Sequence, residues 1–171
     1  MDQKDLLENF RDHLNRVLGF FARVDAKASV VLAIDTGMLG FLVSRVPSIH
    51  SLAWWEIAIP IATMVSLGIS LWFLYWGAFP SLKGGNASLV YFREVANRTE
   101  AKFIDEFVKQ SVSDHAKDLL GQSWRNSEIL KEKFDRLKIA FIFLALAIPP
   151  WVASLLIFTL KAASVQSLPT P

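Results

Sequence analysis

The sequence predicts an all-α membrane protein: three transmembrane helices and a small cytoplasmic helical bundle continuous with spans 1 and 3. Three observations carry this expectation. First, 53% of the 171 residues are hydrophobic, mean hydropathy is +0.35, and the apolar residues gather in three runs, 28–46, 54–79 and 139–160. These runs are 19, 26 and 22 residues long, and a bilayer core requires about 20 residues of helix. Second, each run is apolar all round, which argues against three buried helices of a soluble domain. Third, five of the eighteen Lys and Arg lie in residues 1–27 and eleven in 80–138. With three spans these two segments share a side, and the positive-inside rule makes it cytoplasmic.

Taken in order, residues 1–27 form a cytoplasmic amphipathic helix. Phe10, Leu14, Val17, Phe21 and Val24 recur at steps of 4, 3, 4 and 3, a coiled-coil-like seam. No proline separates this helix from the first span, so the two are expected to form one rod whose cytoplasmic part reaches about 37 Å. Residues 28–79 form a transmembrane hairpin with spans 28–46 and 54–79. Trp54 and Trp55 mark one interface of the second span, and Trp72, Tyr75 and Trp76 the other. The first apolar run starts too far into the chain for a signal peptide, so uncleaved insertion is expected.

Residues 80–138 form the second cytoplasmic region. Chain breakers in "FPSLKGGNAS" are followed by expected helices over 88–96 and 100–110, the latter capped by Thr99. A further helix is expected to start in "SVSD", capped by Ser113 or Asp114. Leu120, Trp124, Ser127, Leu130, Phe134, Leu137 and Phe141 then make a stripe that runs into the third span, 139–160, giving a second rod. Pro149–Pro150 should kink it. Residues 161–171 are an external tail, whose polar end "SVQSLPTP" is expected to be disordered.

Several function classes are excluded or poorly supported. There is no cysteine, which removes disulfides, thiolate metal sites and cysteine nucleophiles. His13, His50 and His115 are isolated; Asp114 and Asp118 around His115 read as a solvated face, so no metal site is expected. No strand pattern, repeat or glycine-rich phosphate loop is present, and a known cyclic-nucleotide-binding barrel does not fit in 86 cytoplasmic residues. The sequons at Asn86 and Asn97 lie on the cytoplasmic side and carry no glycan. No enzyme is expected, and no nucleic-acid partner.

Packing signals are clearer. Ser29, Ala33 and Gly37 form a small-residue ridge on the first span, and Ala62, Ser66 and Ser70 one on the second, both suited to close packing within the hairpin. Asp35 lies about 160° around the helix from the first ridge. If that ridge faces the second span, Asp35 faces the third span or another protomer. An intramembrane carboxylate costs about 2.5–3.5 kcal/mol on insertion scales, so it reads as functional, as a polar pore lining formed by several chains. The structural alternative is a protonated carboxyl hydrogen-bonded to Thr36, Ser154 or a backbone carbonyl.

"FFARVDAKASVVLAID", a second span, and "DLLGQSWRNSEILKEKFDRLKIAF" leading into a third together resemble the Pycsar effector transmembrane family (PycTM), over about residues 10 to 160. Arg23, Asp25, Lys27 and Ala28 carry its first motif; Gln122, Ser127, Ile129 and Lys133 carry its second. Trp124 departs from the smaller residue expected there. The resemblance implies an antiphage effector in the bacterial inner membrane, N-terminus cytoplasmic. It would sense cyclic UMP or cyclic CMP made by a pyrimidine cyclase and impair the membrane, causing abortive infection. A homo-oligomer acting on the lipid bilayer is expected, with no cofactor beyond the activating nucleotide. Such a ligand needs a cation, an amide and an aromatic face, for which Arg23, Lys27, Gln122, Trp124 and Lys133 are the candidates. The alternative is a non-effector accessory subunit of a channel or transporter, acting through protein contacts.

Overall fold

The computed structural model describes residues 3–47, 52–79 and 84–166. Among them are five helices and no strand: α1 (Gln3–Ser44), α2 (Trp54–Ala78), α3 (Phe92–Ala96), α4 (Glu100–Lys109) and α5 (Val112–Gln166). Three of these are long and apolar enough to cross a membrane, which bears out the expected fold class. The chain packs as two units. One comprises Met1–Asp25 and Phe79–Phe134, the other Ala26–Ala78 and Asp135–Pro171. Both α1 and α5 contribute residues to each unit, as the absence of breakers at the expected junctions requires. Helix α5 also runs through Pro149 and Pro150 without interruption.

The apolar unit is a three-helix bundle. Its core is Val31 and Met38 from α1, Leu67 and Leu74 from α2, and Ala140, Leu144 and Ala147 from α5. Buried α1 residues Val31, Asp35, Met38 and Leu42 continue the 3–4 spacing of the N-terminal seam. In α2 the buried set is Glu56, Pro60, Thr63, Leu67, Ser70 and Leu74, again at alternating steps of 4 and 3. Small Ala140 and Ala147 let α5 approach its neighbours closely, so that Ser66 donates to the Phe143 carbonyl at 2.8 Å and the Trp151 indole donates to the Met38 carbonyl at 3.0 Å. The Arg136 guanidinium donates to the Trp76 carbonyl. At the other end of the bundle Lys161 pairs with Glu56 at 3.0 Å. Outward residues such as Val30, Val43, Val65, Phe141 and Leu156 stay exposed, as a lipid-facing surface should. The aromatic residues at both ends of α2 are exposed as well.

Four expectations need correction. The ridge of Ser29, Ala33 and Gly37 is exposed and does not pack in the hairpin; the seam through Val31 and Met38 does, because its larger side chains fill the core. Helix α3 begins at Phe92 and not at 88, since the Ser88 hydroxyl accepts from the Val90 and Tyr91 N–H groups and turns that segment into a loop. Helix α5 is capped by Ser111, whose Oγ accepts the Asp114 N–H at 3.1 Å, and not by Ser113 or Asp114. Helix α5 also continues past residue 160 to Gln166, into the segment expected as tail; residues 167–171 lie outside those described, as does His50. Thr99 caps α4 as expected.

Candidate functional site

The five nucleotide-contact candidates occupy different surroundings. Lys133 pairs with Asp25 at 2.7 Å and lies 5.8 Å from the centre of the Phe21 ring. The second motif thus meets the first through an ion pair with Asp25, a motif residue outside the five nucleotide-contact candidates. Arg23 is exposed and stacks over Phe20 at 5.1 Å. Gln122 is buried, with its Oε1 unpartnered among the described residues, whereas Trp124 is 63% exposed. These four belong to the polar unit; Lys27, exposed, belongs to the apolar one. Among the described residues of the polar unit, no hydrogen bond or ion pair joins any two of these four.

The same polar unit contains a cleft of about 810 Å³ that sequence reasoning missed. Its wall is the loop before α3 together with α4 and the start of α5. Arg98, 11% exposed, holds that wall: its guanidinium donates to the Ser88, Glu94 and Ala87 carbonyls and pairs with Glu106 at 2.8 Å. Glu94 accepts the Ala87 N–H and Asp118 the Leu89 N–H. Between these anchors Ala87 is held at φ +60°, a left-handed conformation that an L-residue adopts at a cost of about 1–2 kcal/mol. Close packing of the buried Tyr91 ring on Gly84 leaves no room for a Cβ there, whereas at Gly85 a Cβ would displace the guanidinium end of Arg125. On the α5 side, a hydrogen bond from Ser111 and then the ammonium of Lys117 hold the Asp114 carboxyl below the usual range, so it is ionised at neutral pH.

Within the apolar unit, Asp35 is fully buried together with Ser70 and Thr63. Ser70 Oγ lies 2.6 Å from Asp35 Oδ2 and 2.9 Å from the Ala140 carbonyl oxygen, so one hydroxyl ties together three helices. A hydroxyl has a single proton; both contacts are hydrogen bonds only when the carboxyl contributes a proton of its own to Ser70. Asp35 Oδ1 has no partner among the described residues. The expected partners are engaged elsewhere, Thr36 with the Leu32 carbonyl and Ser154 with the Pro150 carbonyl. Asp35 therefore lies buried between α2 and α5 of its own chain, the third span being one of the two neighbours that its place on the helix allowed.

Two units, one a three-helix bundle able to span a bilayer and the other a small polar helical unit with an open cleft, define an α-helical membrane protein. A family model, the Pycsar effector protein domain (PycTM), matches residues 9–160, nearly the whole chain and all five helices. The chain belongs to the Pycsar effector family. No curated protein and no solved structure matches it.

Proposed function

We propose that this chain is the membrane effector of a Pycsar antiphage system. It senses cyclic UMP or cyclic CMP through its cytoplasmic residues and impairs the bacterial inner membrane, so that an infected cell halts before phage mature. The observation that carries this reading is the family match over residues 9–160, which takes in both the polar unit and the three apolar helices. The excess of basic residues in 1–27 and 80–138 supports a cytoplasmic N-terminus. Helices α1 and α5 supply residues to both units, which gives a ligand-driven displacement a covalent path to the membrane bundle. There, breaking the contact of Asp35 with Ser70 would expose a carboxyl in the bilayer interior and admit water and ions. Several copies act together, and the protein itself catalyses no reaction.

The test is co-expression with an active pyrimidine cyclase while membrane potential is followed with a voltage-sensitive dye. Depolarisation should need both proteins and should be absent with a catalytically dead cyclase. Equal depolarisation with the dead cyclase would remove nucleotide sensing from the reading.

A further inference from the structure

The cleft of the polar unit is built so that its acidic side chains are already occupied. Glu94 and Asp118 each spend an oxygen on the backbone of the loop, Glu106 is held by Arg98, and Asp114 by Ser111. The lysines of the cleft are paired as well, but over longer distances. Lys102 stands 3.8 Å from a Glu106 that Arg98 already holds. Lys117 stands 3.4 Å from Asp114, and both lysines are well exposed, at 65% and 75%. The side-chain amides of Asn86 and Asn97 line the same cleft and have no hydrogen-bond partner among the described residues. A volume of about 810 Å³ falls within the usual range for a small-molecule site, roughly 300–1,000 Å³.

Two loosely held ammonium groups suit an anion. Two open amides suit a partner with an amide-like edge, since each offers a donor and an acceptor side by side. With Arg98 the lining sets three cations against four carboxylates, so a singly charged ligand suits it better than a multiply charged one. The geometry points to this cleft as the binding site of a monoanionic cyclic pyrimidine nucleotide, with Lys102 and Lys117 on the phosphate and Asn86 and Asn97 on the base edge. This rests on the nucleotide-sensing reading above and gives it a location separate from Arg23, Lys27, Gln122, Trp124 and Lys133.

The experiment is equilibrium binding of cyclic UMP and cyclic CMP to the purified full chain in detergent, with 5′-UMP as a doubly charged comparison. A Lys102→Ala, Lys117→Ala double variant should lose about ten- to hundredfold in affinity, the worth of a charge-assisted hydrogen bond. Asn97→Ala should also weaken binding, while Trp124→Ala should bind like the parent. Because all of these side chains are exposed, the variants should keep the parent's circular dichroism. Independently, hydrogen exchange with the parent protein should slow in residues 86–98 and 110–118 when the nucleotide is added. Parental affinity in the lysine and asparagine variants, or protection confined to residues 120–134, would overturn the cleft and leave nucleotide sensing intact. If the parent itself binds neither nucleotide, the sensing reading fails, and the cleft assignment with it.

Discussion

Replacing Ser70 with alanine removes the one hydroxyl that touches both Asp35 and the Ala140 carbonyl. All of the surrounding atoms are buried, so neither group can turn to water. A hydrogen bond between membrane helices is worth about 0.6–2 kcal/mol, and a buried polar group left without a partner costs about 1–3 kcal/mol. Ser70→Ala should therefore destabilise the bundle by about 1–3 kcal/mol. At roughly 2–4 °C per kcal/mol for a chain of this size, the midpoint should fall by about 2–12 °C. Thermal unfolding in detergent, followed by tryptophan fluorescence, reads this directly. Asp35→Asn keeps a donor toward Ser70 and should stay within about 1 kcal/mol of the parent. Asp35→Leu leaves Ser70 free to donate to Ala140 and removes the cost of inserting a carboxyl, so it should be at least as stable as the parent. In the Asp35→Leu background, Ser70→Ala should cost less than it does alone, because no carboxyl is then stranded. If Ser70→Ala unfolded with the parent, or Asp35→Asn were as damaging as Ser70→Ala, the three-helix tie would carry no stability.

Ala87→Gly should stabilise the polar unit by about 0.5–1 kcal/mol, the strain of a left-handed alanine less the extra chain entropy of glycine; chemical denaturation measures it, and a destabilised variant would contradict the strain. A double-mutant cycle on Lys133 and Asp25 should give a coupling of only about 0.5–1 kcal/mol, because Asp25 is 56% exposed. Reporter fusions should place residues 1–27 and 80–138 in the cytoplasm and the C-terminus outside; a cytoplasmic C-terminus would refute the three-span orientation. In cells making the nucleotide, Asp35→Leu should insert and bind ligand yet fail to depolarise the membrane. Depolarisation equal to the parent would make Asp35 a purely structural group.

The three spans and both long helices were legible because long-range hydropathy and missing breakers depend on no particular contact. That Asp35 meets the third span was legible too, but its place on the α1–α2 seam beside Ser70 was not, although the information was in the sequence. Carrying the seam of Phe10, Leu14, Val17, Phe21 and Val24 forward by the same steps reaches Ala28, Val31, Asp35, Met38 and Leu42. Small residues at Ser29, Ala33 and Gly37 suggested a competing face, and packing volume decided between them. In "QSVSD" the first serine caps because Asp114 stands three positions beyond it and receives its hydroxyl proton, a variation on the usual capping box. The cleft was beyond reach: Arg98 organises it by gathering carbonyls from residues up to eleven positions away, and no periodicity encodes that.

Apolar seams repeating every seven residues tolerate sliding, since one aliphatic knob fits the next hole nearly as well as its own. A slip of α1 along α2 by one repeat is about 10.5 Å and would leave most of the core chemistry similar. It would also carry Asp35 from Ser70 to a position opposite Thr63 or Gly77. Thr63 is buried with its hydroxyl on the Ile59 carbonyl, and Gly77 has no side chain, so neither reproduces the bridge to Ala140. The carboxyl thus acts as a register mark in an otherwise interchangeable ladder: its insertion cost selects one alignment of three greasy helices out of several that hydrophobicity alone would accept.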